Sequence, residues 1–169
     1  MRVATLVTAL TAVVVAGAVA APRAHAAADW ALNGTFLATS NGGWATTNEV
    51  RRNQATVRSV WTIAMTCTNV VTCSGTVDSD AGWSAEITVR NGEYIVKRDL
   101  ADWQRCADGS GRTVTGHQSY RFFPVGDDGF MLPGSRLFAG FDKTSGESGG
   151  CSLNEKTEIE MPFRLEKLD

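Results

Sequence analysis

The stretch at positions 83–96, WSAEITVRNGEYIV, carries the strongest structural signal in the chain. Apolar and polar side chains alternate along its first eight residues and again after the central Asn91-Gly92. Alternation with a period of two is typical of a β-strand with one buried face. Asn-Gly readily adopts the positive φ angles of a two-residue turn, so the stretch predicts two antiparallel strands joined as a hairpin.

The same alternation recurs along most of the chain, without any helical stripe of apolar residues. The runs lie at 35–40, 57–66, 74–77, 113–123, 130–132, 137–141 and 157–166, and turn residues such as Asp127-Asp128-Gly129 separate them. Short strands with one wet face each must close on themselves or pack on a second sheet. The sequence therefore predicts an all-β domain, either an antiparallel up-and-down barrel or a flattened sandwich, of about eight to nine strands.

Two segments carry different signals. Positions 100–106, LADWQRC, predict a short helical turn. Pro162 lies on the polar face of the last strand and cannot donate a ladder hydrogen bond, which predicts a bulge or an edge position there.

The first 26 residues have the pattern of a secretory signal peptide. Arg2 gives a positive start, an apolar run follows at 3–21, and Ala24-His25-Ala26 supplies the small residues that a signal peptidase reads. Cleavage after Ala26 leaves one disulfide-stabilised β domain at 27–169, secreted or held in the cell envelope. A retained membrane anchor is the alternative, but the Ala and Thr content of the run favours removal, with no stable membrane span afterwards.

Charge limits the partners of the mature chain. Loss of Arg2 and Arg23 leaves 14 of the 16 basic residues against 18 acidic ones, a net charge of about −4. The basic residues are scattered, whereas nucleic-acid binding depends on clustered positive charge. The composition therefore argues against a nucleic-acid partner, and no cofactor motif appears.

The four cysteines of an exported chain predict two disulfides. Three pairings are possible on paper. Cys67 and Cys73 flank a short segment between two predicted strands, so they can face each other across a hairpin. Cys106 with Cys151 then follows by elimination. A zinc site is the rival interpretation, but the five-residue spacer between Cys67 and Cys73 is wider than zinc motifs use.

The segment GESGG at 146–150 resembles the nucleophile motif of serine hydrolases. His117 is the only histidine of the mature chain, and it lies 31 positions before Ser148, far from any protease-like context. A glycine, a second glycine and Cys151 follow Ser148, where a hydrolase needs a helix. Ser148 is therefore predicted to lie in a small-residue loop, and no catalytic residue is predicted.

Two acidic patterns have ordinary interpretations. Glu158 and Glu160 share one strand face about 7 Å apart, near the spacing of an inverting glycosidase, but a solvated face gives the same pattern. Asp78 and Asp80 resemble the start of a calcium loop. Gly82, however, comes one position too early, and no glutamate lies at the twelfth position. We therefore expect no metal site.

Aromatic residues are the best candidates for binding. Of the five tryptophans, Trp61 and Trp83 lie on apolar strand faces, and Trp30, Trp44 and Trp103 lie near loops. Loop-borne aromatic side chains favour contact with a ligand or partner, although they also cover barrel ends. His117 is either a surface histidine or a polar group in a ligand cavity. The candidates for ligand or partner contact are Trp83, Trp103, His117, Tyr120 and Arg121.

Several segments together resemble a family of small exported proteins of mycobacteria and their relatives. They include NGTFLATSNGGWATTNEV, WTIAMTC, RDLADWQRCADG, GHQSYRFFPV and the tail from DKTSGESGGC onward. The resemblance covers essentially the whole mature chain. It implies export and, because the family has no assigned function, it supplies no catalytic residue.

Three function classes remain open on these observations. The leading hypothesis is a secreted, non-enzymatic binding protein for a small ligand or an envelope component, because closed sheets present a barrel mouth or an aromatic surface. The alternative is a protein–protein interaction or inhibitor-like protein that uses the loop at 143–150. A remote alternative is an unrecognised hydrolase.

Overall fold

A computed structural model of the protein describes residues 30–69, 72–152 and 154–168. The predicted signal peptide and its cleavage site lie outside these residues. The strands are β1 (Asn33–Ser40), β2 (Thr46–Thr47), β3 (Val50–Arg51), β4 (Val57–Asn69), β5 (Thr72–Ser79), β6 (Trp83–Arg90), β7 (Glu93–Arg105), β8 (Thr113–Pro124), β9 (Leu137–Gly146) and β10 (Glu158–Lys167). Two single turns of 3₁₀ helix, Gly42–Trp44 and Gly150–Ser152, are the only helical elements of the described part.

Eight of the described strands close into an antiparallel up-and-down barrel. The order is β1, β4, β5, β6, β7, β8, β9 and β10, and β10 pairs again with β1. The short β2 and β3 form a hairpin that extends from β10. The predicted all-β class is confirmed, and of the two predicted architectures the barrel is the correct one.

The hairpin signal at Asn91-Gly92 corresponds to the turn between β6 and β7, where both residues have positive φ angles, 52° and 80°. The register places Arg90 opposite Glu93 and Val89 opposite Tyr94. Asn and Gly tolerate this backbone conformation at low cost, so the turn fixes the pairing of the two strands.

The prediction of a helical turn at 100–106 is wrong. The segment continues β7 as far as Arg105, with a register shift against β8 between Leu100 and Gln104 and a positive φ of 53° at Asp102. The long β8 offers hydrogen-bond partners along the whole segment, so a bulge absorbs the irregular pattern that suggested a helix.

A strand predicted at 130–132 is reduced to one bridge, between Val125 and Met131. The turns around Gly129 and Gly134, both with positive φ, leave too few residues for a longer ladder. The segment 125–136 is therefore an irregular loop between β8 and β9.

Pro162 lies where β10 changes its partner from β1 to β2. Its carbonyl oxygen accepts a hydrogen bond from Asn41 N at 2.8 Å, just beyond the end of β1. The N–H that a residue other than proline would have here would point to the same side as this carbonyl. That side faces the gap between the end of β1 and the start of β2, so no ladder hydrogen bond is lost. A proline is tolerated here for the same reason that it is tolerated on an edge strand.

Aromatic rings fill the middle of the barrel. Trp61 is fully buried, and its ring centroid lies 5.4 Å from Trp83, 4.9 Å from Tyr120 and 5.4 Å from Phe163. Tyr94, Phe122 and Phe138 form a second group that joins the first through Phe122 and Phe163. Burial of each such ring contributes about 1.5–3 kcal/mol before the loss of conformational entropy is counted. This single aromatic core holds the strands in place.

Candidate functional site

A buried polar cluster lies beside the aromatic rings inside the barrel. Asp142 on β9 is 1% exposed, and its carboxylate accepts hydrogen bonds from Ser40 Oγ at 2.6 Å and from Gln118 Nε2 at 2.8 Å. Arg98 donates from Nε to Gln118 Oε1 at 2.7 Å, and its guanidinium lies 4.2 Å from the ring centroid of Trp83. The cluster therefore links β1, β7, β8 and β9 through side chains as well as through their backbone ladders.

The electrostatics of this cluster follow from burial. Burial raises the pKa of the Asp142 carboxyl, and the hydrogen bonds from Ser40 and Gln118 and the charge of Arg98 oppose that effect only in part. Burial likewise raises the pKa of the Tyr120 phenol. No buried side-chain nitrogen or oxygen in the described residues lacks a hydrogen-bond partner. The interior is a satisfied structural cluster rather than an open cavity.

The predicted contact residues do not form one site. Trp83 and Tyr120 lie inside the barrel with their rings stacked at 6.3 Å. His117 and Arg121 are on the outside, because successive residues of β8 point to opposite faces of the sheet. Trp103 packs over the inward faces of two buried glycines, Gly116 and Gly146: a β-carbon on Gly116 would lie 2.6 Å from its ring.

The outward faces of β7, β8, β9 and β10, here called the outer wall, change from polar to apolar along the strands. Taken in the order of those strands, three rows of facing residues are Asp99, His117, Ser145 and Glu158; Lys97, Ser119, Lys143 and Glu160; and Ile95, Arg121, Phe141 and Pro162. Beyond the third row, Phe123 faces Ala139. The outer wall therefore carries ionic groups at one end and aromatic and aliphatic groups at the other.

A hollow of about 940 Å³, here called the apolar groove, lies over the apolar end of the outer wall. Its apolar lining consists of Phe123, Val125, Met131, Ala139, Phe141 and Pro162. The loop at 125–136 closes one side, and Phe130 at its tip is 76% exposed. The volume is that of a pocket for a drug-sized ligand, which is usually about 300–1,000 Å³.

A second hollow of about 690 Å³, here called the cationic hollow, adjoins the groove over the polar end. The two hollows share Glu93, Ser119, Arg121 and Lys143 as lining residues. The basic side chains that line the cationic hollow are Arg90, Lys97, Arg121 and Lys143, against the acidic Glu93 and Asp99. Arg98 borders the hollow too, but its side chain points inward to Gln118 and Trp83. The two hollows are therefore one continuous depression with an apolar part and a basic part.

The carboxylates of Glu93, Glu158 and Glu160 on this surface form ion pairs with basic side chains. Arg121 Nε donates to Glu93 Oε1 at 3.0 Å, and its Nη2 contacts the other oxygen. Lys143 Nζ lies 2.7 Å from Glu158 Oε1 and 3.7 Å from Glu160 Oε2. The hydrogen bond from Lys143 lowers the pKa of Glu158, whereas the acid of a glycosidase needs a raised pKa.

His117 has two acidic neighbours at the polar end of the outer wall. Its Nδ1 lies 2.7 Å from Asp99 Oδ1, and its Nε2 lies 4.0 Å from Glu147 Oε1. Ser148 donates a long hydrogen bond of 3.5 Å to the carbonyl oxygen of Asn154. Within the GESGG segment, the side chain that approaches His117 is therefore Glu147, and no hydrogen bond joins His117 to Ser148 in the described residues.

The disulfides pair as expected. Cys67 faces Cys73 across the β4–β5 hairpin with Cα atoms 4.0 Å apart, and Cys106 is bonded to Cys151 with Cα atoms 5.1 Å apart. In the part of the chain that the structure describes, no group of three or more His, Cys, Asp or Glu residues is arranged to hold a metal ion. None of the helices described there has the length and apolar character to cross a membrane.

Comparison with known proteins gives a likeness in structure and none in sequence. No family model matches the chain, and no curated protein matches it in sequence. A solved structure described as the monomer form of the M. tuberculosis PknI sensor domain is 13% identical, with a TM-score of 0.57, over 81% of this chain and 87% of that one. The likeness shows a shared fold. At this identity it transfers no site residue.

Two aromatic residues of the groove, Phe123 and Phe141, were not identified from the sequence, although a signal was present. Phe122 and Phe123 are adjacent, so one of the two must face outward if the segment is a strand. Phe141 likewise alternates with the inward Asp142, and it is 53% exposed. An aromatic residue on the polar face of a predicted strand was the available sign of an external contact surface.

Proposed function

We propose that the protein is an exported, non-enzymatic binding module that holds its ligand in the apolar groove of the outer wall. The observation that carries the proposal is the contrast between a barrel filled by Trp61 and its aromatic neighbours and a groove of about 940 Å³ outside. A ligand pocket is typically concave and mostly apolar, with a few polar groups that orient the ligand. The groove has this composition, whereas buried aromatic side chains occupy the middle of the barrel.

Location and fold support the same proposal. Two disulfides are typical of an oxidising, extracytoplasmic environment. A structural neighbour is described as a sensor domain, so this barrel fold serves as a sensor in at least one other protein. In this proposal, His117 and Arg121 contribute polar contacts beside the groove, whereas Trp83, Trp103 and Tyr120 support the wall from inside.

The proposal is tested with the neutral fluorescent probe N-phenyl-1-naphthylamine, which reports an apolar site without a charge requirement. We expect saturable binding to the folded protein and about tenfold weaker binding to Phe141→Ser, because a ring of the groove is removed. Val57→Ser is the matched control, since Val57 on β4 is 50% exposed and lies away from both hollows. Equal probe affinity in wild type and Phe141→Ser would contradict the proposal.

A second candidate function is docking of a partner protein, and a specific observation favours it. Phe130, Met131 and Leu132 are consecutive and each more than half exposed. Soluble proteins rarely expose contiguous apolar patches without an interaction to cover them. In this case Phe130→Ser, at the tip of the loop and outside the groove lining, should abolish capture of one defined envelope protein. The affinity for the small probe should then stay unchanged.

A further inference from the structure

We infer that the natural occupant of the outer wall is a single-chain anionic amphiphile, with its chain in the apolar groove and its head in the cationic hollow. The inference rests on the proposed function and specifies the class of ligand. It is carried by the continuity of the two hollows and by the distribution of paired and unpaired charges around them.

The dimensions suit a molecule with two chemically distinct ends. Ser119 lies in the lining of both hollows, and Phe123 lies four residues further along β8, about 13 Å away at the rise of a strand. Met131 extends the apolar surface beyond Phe123. A chain of this length can lie along β8 while its head remains beside Ser119.

The basic side chains of the hollow that have no acidic partner are Lys97 and Arg90. Among the described residues, Glu93 and Glu160 form ion pairs with Arg121 and Lys143 respectively, and Asp99 Oδ1 lies 2.7 Å from His117 Nδ1. Beyond their backbone ladders, the side chains of Lys97 and Arg90 form no hydrogen bond or ion pair with any described residue, so they are available to a ligand.

The register places donors around one point. Lys97 on β7 and Lys143 on β9 both face Ser119 on the intervening β8. Adjacent strands lie about 4.8 Å apart, so the side chain of Lys97 begins beside Ser119, whereas the ammonium of Lys143 is held 2.7 Å from Glu158 on β10. An anionic head such as a carboxylate can accept hydrogen bonds from Lys97 and Ser119, whereas a cationic head is repelled by the unpaired charge of Lys97.

A free amphiphile explains the surface better than an anionic bilayer. The exposed tip at Phe130 follows Asp127 and Asp128, whose charge opposes approach to an anionic lipid surface. The basic residues of the cationic hollow lie on the outer wall and not in this loop tip. These charges therefore favour a free amphiphile over an anionic bilayer.

The test compares ligands of equal chain length and opposite charge, below their micelle concentrations. Dodecanoate should displace N-phenyl-1-naphthylamine from the wild-type protein, and dodecyltrimethylammonium should be at least about tenfold weaker. Lys97→Gln should weaken dodecanoate about fivefold, as expected for an exposed charge contact, and leave the neutral probe unchanged. Arg58→Gln removes an exposed charge on β4, away from the hollows, and serves as the control.

The outcomes separate the inference from the proposed function. Equal affinity for the two charged amphiphiles, or no effect of Lys97→Gln on dodecanoate, overturns the anionic assignment, while loss of the neutral probe in Phe141→Ser still supports a binding groove. Binding to vesicles of anionic phospholipid without binding of dodecanoate overturns the choice of a free amphiphile. Failure of the neutral probe to depend on Phe141 overturns the proposed function itself.

Discussion

Gln118 and Ser119 are adjacent on β8, yet their surroundings differ completely. Gln118 lies inside the barrel, where it donates to Asp142 and accepts from Arg98, and it is 7% exposed. Ser119 lines both hollows of the outer wall. The inner face of these strands is therefore closed by side chains that satisfy one another, and the outer face leaves groups available to a ligand.

This contrast assigns stability and binding to opposite faces of the same strands. Buried polar groups must keep their partners, because an unpaired one costs about 1–3 kcal/mol. Outward side chains carry no such constraint, so the wall can vary its chemistry while the barrel is retained. Substitutions on the two faces should therefore separate cleanly in their effects on unfolding and on binding.

The largest effect is expected from Trp61→Ala. Trp61 is fully buried and contacts Trp83, Tyr120 and Phe163. Its removal leaves a cavity, because the strands of a closed barrel cannot move inward to fill the space. Chemical denaturation should show a loss of about 3–5 kcal/mol in the free energy of unfolding. Trp44→Ala, at a residue 61% exposed, should lose less than about 1 kcal/mol. Similar losses for the two variants would break the contrast between the faces.

A single added methyl group should also be costly on the inner face. A β-carbon on Gly140 would lie 2.6 Å from the Cα of Phe122 and overlap the carbonyl oxygen of Arg121, both backbone atoms of β8. Gly140→Ala must therefore push β8 and β9 apart, at a cost of about 1–3 kcal/mol by chemical denaturation. Ser145→Ala on the outward face of β9 is the control. A Gly140→Ala protein as stable as wild type would mean that the strands approach less closely than described.

The buried carboxyl of Asp142 gives a smaller effect that depends on pH. Its pKa is raised in the folded state, so below about pH 4 both states hold the proton, and stability falls as pH rises from there through the folded pKa. Above both pKa values, each unit by which the folded-state pKa exceeds the unfolded-state pKa lowers the free energy of unfolding by about 1.4 kcal/mol. Asp142→Asn does not titrate, and its amide can donate to Ser40 Oγ while its oxygen accepts from Gln118.

The measurement is the free energy of unfolding of wild type and Asp142→Asn at several pH values from 3.5 to 7. The difference should move in favour of the variant as pH rises. If wild type gains on the variant instead, Arg98 and the two hydrogen bonds outweigh burial, and the carboxyl is an ionised partner in the cluster.

The alternation of side chains predicted the closed sheet and the inward direction of Trp61 and Trp83, because period-two patterns depend only on local geometry. The pairing of Cys67 with Cys73 was equally accessible, since two cysteines that flank one hairpin have little choice. These features required no knowledge of distant contacts.

The polar cluster and the groove were not accessible in the same way. Arg98, Gln118 and Asp142 are polar residues at inward positions, and they are tolerated there only because four strands, β1, β7, β8 and β9, supply the hydrogen-bonding groups. The groove depends on the register of four strands and on the path of the loop at 125–136. The sequence placed His117 and Arg121 on a polar face, but it did not show that Phe123 and Phe141 lie beside them.

The smallest effect on stability is expected from Phe141→Ser, the residue next to Gly140. Its ring is 53% exposed and points into the groove, so its loss should change the free energy of unfolding by no more than about 1 kcal/mol. Removal of a whole ring at position 141 should thus cost less than addition of one methyl at position 140, because only the latter enters the space between two backbones. Thermal and chemical denaturation of the two variants, measured together, decide the order. If Phe141→Ser is the less stable of the two, the outer wall is part of the core, and the weaker binding of the probe to this variant would report unfolding instead of loss of a contact.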